Sequence, residues 1–176
     1  MNIELKNIKY ASFASHETNC YSASIYVDGN KAGTVENYGH GGCDNIHWND
    51  SVFGKSVEDW AASQPKIKTE YGELPYDLEL LFGQLVDQWL LSKELTRNLK
   101  KGLLVRDSDT KAGSWRIFTS KLSQTIPEAM LGNLIRTGKV RADAICLNTL
   151  PIGEALKLWG GRLLTQWPHN GESYND

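Results

Sequence analysis

Apolar and polar residues alternate along Tyr21 to Val27, with Tyr21, Ala23, Ile25 and Val27 on one side and Ser22, Ser24 and Tyr26 on the other. A period of two predicts a half-buried strand. Asp28-Gly29-Asn30-Lys31 then supplies turn chemistry, with Gly29 and Asn30 as the residues that tolerate positive φ, and Ala32 to Asn37 returns as the partner strand. Upstream, Ile3, Leu5, Ile8 and Tyr10 also alternate with polar neighbours, with a change of phase near Asn7. The first 38 residues therefore predict β-structure, without fixing where Met1 to Phe13 pairs.

Tyr38-Gly39-His40-Gly41-Gly42-Cys43-Asp44-Asn45 interrupts the pattern. Three glycines in four positions make a regular element costly in backbone entropy and predict an irregular turn. Ile46 to Asp50 fits no single element. A helix is predicted to begin after Ser56: Ser56 and Asp59 imitate a capping box, Val57, Trp60 and Ala61 share a face, and Pro65 lies beyond its end. Pro65 to Pro75 reads as a polar surface loop.

The periodicity then changes to helical over Asp77–Lys101. Leu78, Leu81, Phe82, Leu85 and Trp89 line one face, and Leu91, Leu95 and Leu99 continue on a rotated stripe. Asp77 and Glu79 suit the N-terminal end of the dipole, Lys100 and Lys101 the C-terminal end, and Gly102 is the expected C-cap. The remainder reads β-β-α-β-α. It comprises a strand at Leu103 to Val105, a turn over Asp107 to Gly113 and a return strand over Ser114 to Thr119. A helix opened by Pro127 and stopped by Gly138 follows, then a strand over Val140 to Leu147 and a short helix after Pro151. Gln166 to Asp176 is a polar tail. Interspersed hairpins and helices predict an α+β fold. It has a β-rich N-terminal lobe built on an antiparallel hairpin (1–65), a loop and long amphipathic helix (66–101), and a C-terminal lobe (102–176).

Composition narrows the function classes. The 176 residues are 40% hydrophobic and 23% charged, which is globular. With 19 basic against 21 acidic side chains and a net charge of -2, a generally cationic nucleic-acid binder is disfavoured. No apolar run approaches the roughly 20 residues of a bilayer span. The alternating start lacks an apolar signal core, which predicts a chain that is not exported. Cys20, Cys43 and Cys146 are odd in number, so reduced thiols are expected rather than a disulfide framework.

Candidate chemistry is densest between residues 16 and 50. His16-x3-Cys20 precedes the hairpin and His40-x2-Cys43-x3-His47 follows it. A hairpin joins its ends, so His16, Cys20, His40 and Cys43 could supply the four imidazole and thiolate donors that zinc takes. The spacing is not that of a zinc knuckle, and a core Cys20 with surface histidines explains the same residues. Cys43 is also a candidate nucleophile, with His40 or His47 as base and Asp44 or Asp50 as orienter; every ingredient is common, and the plainer account is a glycine loop shaped for packing. The backbone of Gly39, His40, Gly41, Gly42, Cys43 and Asp44 could cradle a phosphate, as in a nucleotide-like ligand, with Lys31 and Lys55 the nearest cations. It lacks the residues of a P-loop.

Trp48 and Trp167 lie in polar surroundings and are candidate interface anchors; Trp60, Trp89 and Trp159 fall on apolar helix faces and read as core. Asp107-Ser108-Asp109 imitates the start of a calcium loop but lacks the later ligands, so a turn is expected. Lys93, Arg97, Lys100 and Lys101 make a basic face on the long helix, the usual reading of which is a solvated surface.

Three stretches carry a resemblance. Asn2 to Lys9, the hairpin Ala23 to Gly33 with Gly39-His40-Gly41-Gly42-Cys43, and Leu147-Asn148-Thr149-Leu150-Pro151-Ile152-Gly153-Glu154-Ala155-Leu156 resemble a family of small accessory proteins of tailed phages and prophages. The resemblance covers about half the chain and brings no assigned reaction, so it transfers no functional residue. It implies expression in the cytoplasm of a bacterial host. It also implies a counter-defence role: a binding protein, anti-CRISPR-like, that inhibits a host defence complex. A nucleotide or signal-molecule sponge and a Cys/His or zinc-dependent enzyme remain the alternatives.

Overall fold

The computed structural model describes residues 1–69, 72–119 and 126–160. The fold is α+β, and the chain divides into two compact units, the first running from Met1 to Gln88 and the second starting at Trp89.

In the first unit, β1 (Ile3–Tyr10), β2 (Cys20–Val27), β3 (Asn30–Tyr38) and β4 (Asn45–Trp48) form an antiparallel sheet in sequence order. The phase change near Asn7 is a bulge: the register slips between Lys6 and Lys9, and Asn7 has φ 55°. The β2–β3 turn places positive φ at Asp28 and Gly29, not at Asn30, because the tight turn closes on the Val27–Asn30 pair. Tyr21, Ala23, Ile25, Val27, Ala32 and Val35 are buried.

Helix α1 (Ser51–Ala62) starts earlier than the capping-box reading placed it. The Asp50 carboxylate accepts from the N–H groups of Val52 and Phe53 at 2.8 and 3.1 Å, so Asp50 is the N-cap. Ser56 lies within the helix and donates to the Phe53 carbonyl instead. The segment expected to be a loop holds a small hairpin, β5 (Ile67–Thr69) with β6 (Gly72–Leu74). Helix α2 (Leu78–Lys101) follows, with Leu78, Leu81, Phe82 and Val86 buried.

The second unit is built on β7 (Gly102–Arg106), flanked by β8 (Arg116–Thr119) and β9 (Ile145–Cys146), with α3 (Pro127–Arg136) and α4 (Ile152–Gly160). Gly102 does not cap α2. It opens β7, and a Cβ there would lie 2.5 Å from the Phe118 carbonyl oxygen, so the residue serves a close strand approach. The strand expected over Val140 to Leu147 shrinks to Ile145–Cys146.

Alternation along β7 sends its side chains to two apolar clusters. Leu104 joins Leu95, Leu147, Ala155 and Leu156, while Leu103 and Val105 join Leu134, Val140 and Cys146. Asn148 stitches this unit: its side-chain oxygen accepts from the Leu104 N–H at 2.9 Å, and its amide donates to the Leu99 and Gly102 carbonyls at 3.2 Å each. The end of α2 is thereby capped by a side chain remote in sequence.

Asp107-Ser108-Asp109 is a turn held by ion pairs. The buried Asp107 carboxylate accepts from the Arg141 N–H, the Thr110 hydroxyl and the Arg116 guanidinium, and Arg141 pairs with Asp109. The Arg141 N–H, then Thr110, then Arg116 hold the carboxyl down at about 2. The folded value is below the unfolded one, about 3.9. Stability from this carboxylate is therefore complete above about pH 4 and falls away towards pH 2. Urea unfolding between pH 5 and 2 is expected to show an acid-labile limb, flattened in Asp107→Asn.

Candidate functional site

The site is built where β2 and β3 end. Cys20 pairs with Tyr38, so the segment before β2 and the glycine loop after β3 leave the sheet side by side. Backbone bonds tie them. The N–H groups of His16 and Glu17 both donate to the Gly39 carbonyl at 3.0 Å.

Asn37, buried at the end of β3, latches the loop. Its side-chain oxygen accepts from the Gly39 N–H at 2.9 Å and the Thr18 hydroxyl at 2.8 Å. Its amide donates to the Gly42 carbonyl and to the Asp44 carboxylate, both at 3.0 Å. The Gly41 N–H donates to Thr18 at 3.3 Å. The N–H groups of Gly39 and Gly41 are thus donated inside the protein, which removes two of the donors that an anion cradle would need.

Two glycines carry the geometry. Gly39 has φ +84°, and a Cβ there would lie 2.1 Å from the Ala14 carbonyl oxygen and 2.9 Å from the Cys20 Cβ. Gly41 has φ +81°, and its neighbour is the movable Glu17 carboxylate. Gly42 has open space around it.

Asp44 is half-buried and accepts from the Tyr21 hydroxyl at 2.7 Å as well as from Asn37. Burial pushes its carboxyl above the ordinary range, with the Asp77 charge adding to this, while the two hydrogen bonds pull it back. Burial, with the Asp44 partner, also raises the Tyr21 phenol. Asp44 therefore anchors the loop to β2. It does not orient a histidine.

The predicted ligands converge only in part. The rings of His16 and His40 stack with centroids 5.4 Å apart and planes 15° apart. Among the described residues, no three or more His, Cys, Asp or Glu side chains are grouped to hold a metal, so His16, Cys20, His40 and Cys43 do not form a four-ligand set. The hairpin does join its ends as expected. However, Cys20 is half-buried beneath Gly39, whereas Cys43 is exposed on the loop. No hydrogen bond links Cys43 to His40 or His47; His47 sits exposed on β4 opposite Thr34. Asp50, the other proposed orienter, is occupied as the α1 cap.

Trp48 is committed to packing. Its ring lies where a Cβ on Gly54 of α1 would be, at 2.3 Å, and its indole N–H donates to Glu58 at 3.3 Å. Trp167 lies outside the described residues. Of the cations near the loop in sequence, Lys55 pairs with Asp59 at 3.1 Å and with Glu58 at 3.8 Å.

The structure adds two aromatic residues that sequence reading passed over. Phe13, in a 3-10 turn over Ser12–Ala14, is 86% exposed, and Tyr38, at the end of β3, is 61% exposed. The Tyr38 hydroxyl donates to Glu36 at 2.7 Å. Phe13 precedes Ala14, whose carbonyl oxygen faces Gly39, and Tyr38 immediately precedes Gly39, so both flank the latched loop along the chain, as do the stacked His16 and His40. The signal available in the sequence was Phe13 itself, a large apolar residue set among Ala11, Ser12, Ala14 and Ser15.

Comparison of the chain with family models, curated proteins and solved structures returns no match. Among the described residues, no helix is long and apolar enough to cross a membrane.

Proposed function

We propose that this chain acts without catalysis, by binding a partner protein through the rim formed by Phe13, Tyr38, His16 and His40. The carrying observation is that two large aromatic side chains stand exposed on a backbone held in place by Asn37, Thr18 and Gly39. Aromatic side chains dominate interface energetics, and a fixed support lowers the ordering cost of binding. The resemblance to phage accessory proteins supports the partner class: a bacterial defence complex that the protein inhibits.

The test is affinity capture from bacterial lysate with the wild-type chain and with a Phe13→Ala/Tyr38→Ala variant. Both side chains are exposed, so the variant is expected to fold normally by circular dichroism. The captured defence component is expected to fall by roughly tenfold or more, as for loss of two interface anchors. Equal capture by both chains would overturn the assignment.

A further inference from the structure

The exposed face of α2 within the second unit carries four cations in nine residues: Lys93, Arg97, Lys100 and Lys101. Each is exposed, and none forms an ion pair with a described residue, unlike Lys6, Lys55, Arg116 and Arg141. The dipole of the helix accounts for Lys100 and Lys101 in the last turn, but its influence fades beyond that turn, and Lys93 and Arg97 lie further back. Glu94 is the only carboxylate among them, which leaves a local balance of +3 on a chain whose net charge is -2. These residues line a surface groove together with Trp89, and the Lys93 ammonium lies 4.0 Å from the Trp89 ring centroid.

We propose that this face docks an acidic segment of a partner protein, its carboxylates meeting the four cations and an apolar side chain resting beside Trp89. Charge complementarity selects the occupant. A nucleic acid fits less well. Four cations are fewer than the six to ten phosphate contacts of a strong nucleic-acid binder, roughly, and the chain as a whole is anionic. Base stacking wants an open ring face, and Lys93 already covers one face of Trp89. The proposal does not depend on the Phe13–Tyr38 rim, which belongs to the other unit.

The test uses fluorescence anisotropy on the full chain with three labelled probes of similar length. The first is a peptide with Glu at helical three- and four-residue spacing and one central Phe. The second is the same peptide with Gln for Glu, and the third is single-stranded DNA. The Glu peptide is expected to bind at least about tenfold tighter than the Gln peptide, more weakly as salt rises. Lys93→Glu/Arg97→Glu is expected to remove that preference. Both positions are exposed, so the variant should keep the wild-type melting curve, and Lys93→Gln/Arg97→Gln gives a milder check with the same direction. Equal binding of the two peptides, tighter binding of DNA than of the Glu peptide, or an unchanged preference in both variants would overturn the assignment.

Discussion

Asn148→Leu is expected to be the most destabilising single substitution in the second unit outside its apolar clusters. The leucine keeps the bulk but loses one acceptor and two donors. The Leu104 N–H and the Leu99 and Gly102 carbonyls are left without these partners where the end of α2 meets β7. Net values near 1 kcal/mol per hydrogen bond, with more for groups stranded away from water, put the loss at about 2–4 kcal/mol. Against a total of roughly 5–15 kcal/mol for an ordinary domain, that is a large share. Urea denaturation is expected to show the midpoint falling while the slope is retained. Asn148→Asp separates the roles: it keeps the acceptor for Leu104 but turns a carboxylate oxygen towards the Leu99 and Gly102 carbonyls, so it should be destabilised near neutral pH and regain part of the loss as the pH falls and the carboxyl takes up a proton. A midpoint within error of wild type for the leucine variant would contradict the stitching role.

Gly39→Ala is expected to have the second large effect, and on the site itself. At φ +84° any side chain is strained, by about 1–2 kcal/mol for an L-residue in that region. The added carbon would also meet the Ala14 carbonyl oxygen at 2.1 Å, and backbone cannot yield as a side-chain tip can. The loop must lift, which breaks the bonds from His16 and Glu17 to the Gly39 carbonyl and releases the turn that carries Phe13. Partner capture should therefore fall even though Gly39 is itself buried. Gly42→Ala, in the same loop with open space and no positive φ, is expected to be silent. If the two alanine variants behave alike, the latched-loop description fails.

The parts of the fold carried by long periodic patterns were legible in the sequence. The β2–β3 hairpin, α2 and the β-β-α-β-α order follow from period two and period 3.6 over many residues. The failures lie where one strong local group overrides a pattern. Asp50 begins α1 six residues before the reading based on Ser56, because a carboxylate at the N-cap satisfies two free N–H groups. Gly102 was read as a cap because it follows a helix with terminal lysines; the cap is Asn148, which no local window can find.

The site was half legible. Histidine and cysteine spacing located the glycine loop and brought His16 to His40. It could not tell that Cys43 would face water, nor that Asp44 would be held by Tyr21 and Asn37, because both depend on how the chain turns at Gly39, Gly41 and Gly42. Attention to reactive residue types also passed over Phe13 and Tyr38, whose interest lies in exposure rather than in chemistry.

Native mass spectrometry of the chain purified from bacterial cells, beside a denatured control, tests the central claim most directly. The protein-binding account predicts a stoichiometric protein partner on the wild-type chain, absent from Phe13→Ala/Tyr38→Ala and retained by Gly42→Ala. A metal or nucleotide mass on the folded chain, released on denaturation and missing from His40→Ala while no protein accompanies the wild type, would contradict it.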